Sequence, residues 1–209
     1  MKKTIIDRIE ALGGKVGEPQ AQTLVRRLAS IDIPVPLYRA PVDTPWATAD
    51  QQEPIPGLRD YVGKHRSLMA QDPQGFYAQL VQDYFSPTEE LRAQVNYRCQ
   101  LFTPFKAGSA DFEEWGNGED FDREHVESVT SLDSPDFLFI GFSEGYPNYY
   151  FVCTSDARTD NPTVYSTDHE DYLGSIDARG TLEDWFHAFM TPQELVARVA
   201  RGLQEEAKA

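Results

Sequence analysis

The chain has 209 residues, 40% hydrophobic, 25% charged and 12% aromatic, a composition that excludes disorder and supplies a packed aromatic core. Its 34 Asp and Glu against 19 Lys and Arg give a net charge of −15, the wrong sign for gripping nucleic acid or an anionic membrane surface. No run nears the ~20 apolar residues a membrane span needs, and Asp7, Arg8 and Glu10 interrupt the N-terminus before a signal-peptide core can form.

A cytoplasmic protein with one domain over 1–209 is therefore expected. The two cysteines, Cys99 and Cys153, are too few and too isolated for a disulfide framework and read as buried or idle thiols.

In chain order, Thr4–Leu12 reads as a short helix with Ile5, Ile6, Ile9 and Leu12 on one side, stopped by Gly13 and Gly14. Pro19–Ser30 reads as a second, with Leu24, Val25, Leu28 and Ile31 recurring at helical spacing. Residues 33–42 alternate around three prolines, which suits an edge strand or an extended segment. Residues 41–57, rich in proline, read as a loop.

Three helices are expected next, over Leu58–Ala70, over Pro73–Tyr84 with Asp72 as cap, and from a Ser86-Pro87-Thr88-Glu89 capping box onward, with Leu91, Val95 and Cys99 inward. From about Ala107 the pattern turns to strands and turns. Phe137–Phe142, Asn148–Thr154 and Val164–Ser166 are apolar-aromatic runs separated by short turns, which predicts an antiparallel meander. Thr181 can cap a helix carrying Leu182, Trp185, Phe186 and Phe189. Thr191-Pro192-Gln193-Glu194 opens a last helix with Leu195, Val196, Val199 and Leu203 inward. The fold class expected is α+β: a central, mainly antiparallel sheet packed by helices, with a helix-rich N-terminal half.

The charge is uneven. Residues 1–108 hold 13 Lys and Arg against 12 acids, a net of +1, while residues 109–209 hold 6 against 22, a net of −16. Solubility asks for about 8 units at most. The densest stretch, residues 111–122, has six acids and no base, interleaved with Phe112, Trp115 and Phe121. Acids around aromatic anchors suit a contact surface, so Glu113, Glu114, Trp115, Glu119, Asp120 and Asp122 are the candidate partner-binding residues. A solvated loop pinned by its aromatics is the plainer alternative.

Catalytic signatures do not emerge. His65, His125, His169 and His187 form no H-x-x-x-H pair, Asp168-His169-Glu170-Asp171 is too compact to turn all its ligands on one ion, and residues 117–122 do not fit a calcium loop. Neither a nucleophile elbow nor a phosphate-binding loop is present. The expectation is a protein with no catalytic residues, no cofactor and no metal.

Residues Phe137–Phe189 resemble the SUKH superfamily, the proteins related to the fungal cell-wall-assembly regulator. The likeness rests on the apolar strand Phe137–Ile140, the turn Ser143–Gly145, the aromatic strand Asn148–Thr154, the run Thr163-Val164-Tyr165-Ser166-Thr167-Asp168-His169-Glu170, and the aromatic helix Leu182-Glu183-Asp184-Trp185-Phe186. Ile33-Pro34 to Tyr38 and Asn117-Gly118 are the candidates for the family's earlier signals, and 58–103 reads as a helical insertion or a divergent element.

The resemblance implies an α+β fold and an immunity protein that binds a cognate toxin domain, often a nuclease, without catalysis. A basic partner protein is also what the charge calls for. A regulatory or scaffold binding protein of the same fold, and a small hydrolase with an unrecognised site, are the alternatives.

Overall fold

The computed structural model describes residues 1–47, 53–86, 91, 96–98, 108, 122–133, 136–143 and 148–208. The fold is α+β, and the chain divides into two compact units, residues 1–36 with 96–188 and residues 37–95 with 189–209.

The first unit is built on an antiparallel sheet. Its strands are β4 (Asn96–Arg98), β5 (Phe137–Ser143), β6 (Tyr149–Cys153), β7 (Thr163–Asp168) and β8 (Tyr172–Thr181), neighbours in that order. The expected meander is present: Phe139 lies opposite Phe151, and Phe151 opposite Tyr165. Because side chains alternate along a strand, β5 buries both its faces. Phe137 and Phe139 join Phe151, Cys153, Tyr165, Leu173 and Ile176 in one cluster, which Val126 of helix α6 (Arg123–Thr130) covers. On another side Tyr150 meets Trp185, ring centroids 5.7 Å apart, on helix α7 (Leu182–His187).

Helix α1 (Lys3–Ala11) packs on α7 and buries Ile5 and Ile9, and β1 (Lys15–Val16) pairs with β2 (Ile31–Asp32). Helix α2 (Leu24–Ala29) buries Arg27, whose guanidinium donates to Ala21 O at 2.9 Å and Thr159 O at 2.6 Å.

The second unit gathers β3 (Leu37–Tyr38) with helices α3 (Leu58–Lys64), α4 (Arg66–Gln71), α5 (Pro73–Phe85) and α8 (Pro192–Glu206). Its core holds Trp46, Leu58, Tyr61, Phe76, Leu80, Tyr84, Leu195 and Val199. Helix α8 lays Leu195 and Val199 inward, with Val196 and Leu203 half-buried. The expected Thr191–Glu194 capping box forms, and the expected cap at Thr181 forms as a second box with Asp184, each stabilising its helix start by about 1 kcal/mol, while Pro87–Glu89 of the box expected at Ser86 lie outside the described residues. Gly202 of α8 is required by a close approach: a Cβ there would overlap the indole of Trp46.

Several expectations are corrected. The second helix begins at Leu24, not Pro19, because the Thr23 hydroxyl accepts from Arg26 N–H at 3.3 Å and fixes the start there. The helix expected over Leu58–Ala70 is two, broken at His65. The extended segment at 33–42 contributes only the two-residue β3. The helix expected after Ser86 does not run on to Cys99, because Asn96–Arg98 is a strand held by pairing with β5, Tyr97 opposite Ser143 and Arg98 opposite Phe142. Strand β8 and helix α6 were not anticipated at all.

Candidate partner-binding face

The acidic surface starts from local sequence. Asp122 accepts from His125 N–H at 3.2 Å and caps α6, so its carboxylate balances the positive helix N-terminus. Val126 then turns inward while Glu124 stays exposed. Thr130 Oγ1 donates back to Val126 O at 2.8 Å, and Ser131, with φ of 57°, ends the helix. Helix α6 packs against β8.

The turn between β7 and β8 is the second acidic element. Asp168 Oδ1 accepts from Glu170 N–H at 2.7 Å and from Asp171 N–H at 3.3 Å, an Asx turn that closes the hairpin. These hydrogen bonds, Glu170 first, hold the Asp168 carboxyl below its ordinary value. His169 sits 3.7 Å from Asp168 and 3.9 Å from Glu170. Glu170 and Asp171 face water. Further along β8, Asp177 Oδ2 accepts from Arg179 Nη2 at 2.9 Å, and Arg179 Nε donates to Ser166 Oγ at 2.7 Å.

Other acids in this unit work inside the fold. Asp156, buried between β6 and β7, accepts from Thr163 N–H and from Arg158 N–H, each at 2.8 Å, and from the Arg158 guanidinium. Burial pushes its carboxyl up, but those donors outweigh it and leave it below the ordinary value. Asp184 closes the capping box of α7, its carboxylate accepting from Thr181 N–H at 2.8 Å, and Glu183 pairs with Lys2 at 2.9 Å. Burial, helped by the Asp156 charge, drives the Cys153 thiol up to about 12, so it stays a neutral thiol at pH 7.

Of the residues expected to bind a partner, only Asp122 can be placed, and it is a helix cap. Glu113, Glu114, Trp115, Glu119 and Asp120 lie outside the described residues, as do Asn117, Gly118 and Cys99. Sequence reasoning missed α6 and β8 as carriers of exposed acids. The signal for α6 was readable: Asp122 as cap, Glu124 in the first turn, and Val126 and Val129 three apart.

Among the described residues no group of three or more His, Cys, Asp or Glu is arranged to hold a metal ion. The second unit has an apolar cleft of about 520 Å³ between Tyr77 and Val81 of α5 and Pro192 and Val196 of α8, and a polar one of about 320 Å³ beside Asp43, Arg198, Arg201 and Glu205. The lining of neither includes a Ser, Cys or His. Compared with known proteins, the chain matches no family model, no curated protein and no solved structure.

Proposed function

We propose that the chain is a non-catalytic binding protein that neutralises a basic partner by direct contact, in the manner of an immunity protein set against a basic, nuclease-type toxin domain. The observation that supports it is electrostatic. Between residues 122 and 188 the described residues hold 13 acids against three Arg, and nine of those acids are exposed. Like charges gathered on one unit repel each other and oppose folding, a cost that a basic partner relieves. A nuclease grips phosphate with Lys and Arg, so an acidic face complements it and is drawn to it quickly. The stretch that resembles the SUKH superfamily, Phe137–Phe189, spans β5 to α7 of this unit. The acidic residues 111–122 lead directly into α6 and extend the same charge along the sequence.

The test is association kinetics with a basic partner co-purified from the native host. The association rate is expected to fall about tenfold or more between low and physiological salt. Neutralising Glu113, Glu114, Glu119, Asp120 and Asp122 together should slow association at low salt, whereas removing Trp115 should speed dissociation. A rate that ignores salt would refute the electrostatic reading. A partner with no toxic activity would replace the immunity role by a regulatory one.

A further inference from the structure

Strand β8 is the last in its sheet, paired to β7 on one side. Among the described residues no strand pairs with its other side. Outside the β7 ladder its main-chain N–H bonds among the described residues are local, Gly174 to Asp171 O and Thr181 to Asp184 Oδ2, each 2.8 Å. Gly174, Ser175 and the run Asp177-Ala178-Arg179-Gly180 are exposed. The pairing with β7 is regular where Ile176–Ala178 face Tyr165–Thr167, and bulges lie on both sides of that stretch.

An edge of ten residues is a ready template for another strand. Proteins block such edges with proline, lysine or a covering loop, yet Tyr172–Thr181 contains no Pro and no Lys. Gly180, with φ of +89°, ends the extended part, which leaves Leu173–Arg179 for pairing, a span of roughly 23 Å.

Charge selects what can pair there. Residues 168–184 carry six acids and one Arg. Glu170, 82% exposed, stands with Asp171 at the hairpin end, and Asp177, 69% exposed, stands in the middle. The lone Arg179 is already engaged by Ser166 and Asp177.

We propose that the free edge of β8, Leu173–Arg179, is the docking site for an extended basic segment of a partner polypeptide. The segment adds a strand through main-chain hydrogen bonds, and its Lys or Arg side chains reach Glu170, Asp171 and Asp177. This rests on the proposed binding of a basic partner and specifies how that partner seats.

The experiment is amide hydrogen exchange on the full chain, with and without a defined peptide of about 12 residues in which Lys alternates with Val. The control peptide has the same charge with proline at the alternate positions, so it keeps the electrostatics but cannot form a ladder. The Lys-Val peptide should slow exchange within 173–179 about tenfold or more and the proline peptide should not. The Glu170→Lys/Asp177→Lys variant should lose that protection while keeping its melting temperature.

Binding of both peptides with unchanged exchange at 173–179 overturns edge docking and leaves the acidic-face reading standing. So does binding of neither peptide alongside a co-purified partner that leaves those amides unprotected. Protection that grows with protein concentration in the absence of peptide assigns the edge to a second copy of this chain and also overturns the proposal.

Discussion

Leu195 offers the most direct test of how the second unit is held. Its side chain is fully buried in the cluster with Leu80, Tyr84 and Val199, on the helix face one turn beyond the Thr191–Glu194 capping box. Leu195→Ala removes three carbon groups from that contact. At about 0.8 kcal/mol each, the lost transfer energy is about 2.4 kcal/mol.

The space vacated cannot fully collapse, because Val199 one turn on is buried and Gly202 beyond it already touches Trp46. A residual cavity of about 40 Å³ adds about 1 kcal/mol, for a total near 3.4 kcal/mol. Val196→Ala, at a half-buried position beside Pro192 and Gln193, should cost less than about 1 kcal/mol and serves as the control. Urea unfolding followed by circular dichroism reads both, with unchanged slopes showing that stability alone has moved. A Leu195→Ala cost below about 0.5 kcal/mol, the range of neutral surface changes, would mean that α8 does not pack as described.

Two more outcomes are expected. Asp156→Ala should cost about 1–3 kcal/mol at pH 7, because the part-buried Thr163 N–H and the Arg158 donors lose their acceptor. Since the folded state holds this carboxyl below the ordinary 3.8, its stabilisation is fully present above that pH and disappears as pH falls through the lower folded value. The gap between variant and parent should therefore close only below about pH 3.8 in a pH series of urea midpoints. Gly202→Ala should destabilise the second unit by about 1–3 kcal/mol, since its Cβ would overlap the Trp46 indole, and a neutral thermal melt would contradict that packing.

What the sequence made legible was local and strongly patterned. The caps at Thr181 and Asp72 and the capping box at Thr191 each pair a short polar side chain with the N–H three residues on, and all three are present. The runs Phe137–Phe142 and Asn148–Thr154 are short, aromatic-rich and bounded by turn residues, which favours buried strands over helix.

The failures have a common cause in tertiary context. Asn96–Arg98 follows a capping box and looked helical, but the edge of β5 offers it a ladder. Among the described side chains of β8 only Leu173 and Ile176 are buried, so an exposed edge strand reads as polar loop. The candidate contact residues rest on acids interleaved with aromatic anchors, a pattern that carries no geometry. Asp122, the one that can be placed, proved to hold a helix end.

That double use decides how the acidic face can be probed. Several carboxylates of this unit also hold the fold: Asp122 caps α6, Asp168 closes the β7–β8 turn, buried Asp156 ties the end of β6 to β7, and Asp184 closes the capping box of α7. Removing them would confound loss of charge with loss of structure. Asn is as good an N-cap as Asp and better than Ala by about 1 kcal/mol. Asp122→Asn should therefore remove one charge while α6 stays formed, and Asp122→Ala should loosen α6 and expose Val126, which covers the Phe137–Phe139–Phe151 cluster. If binding falls equally in both variants, the charge of Asp122 matters to the partner. If it falls only in Asp122→Ala, with weaker protection of α6 amides, the residue serves the partner through the helix it starts.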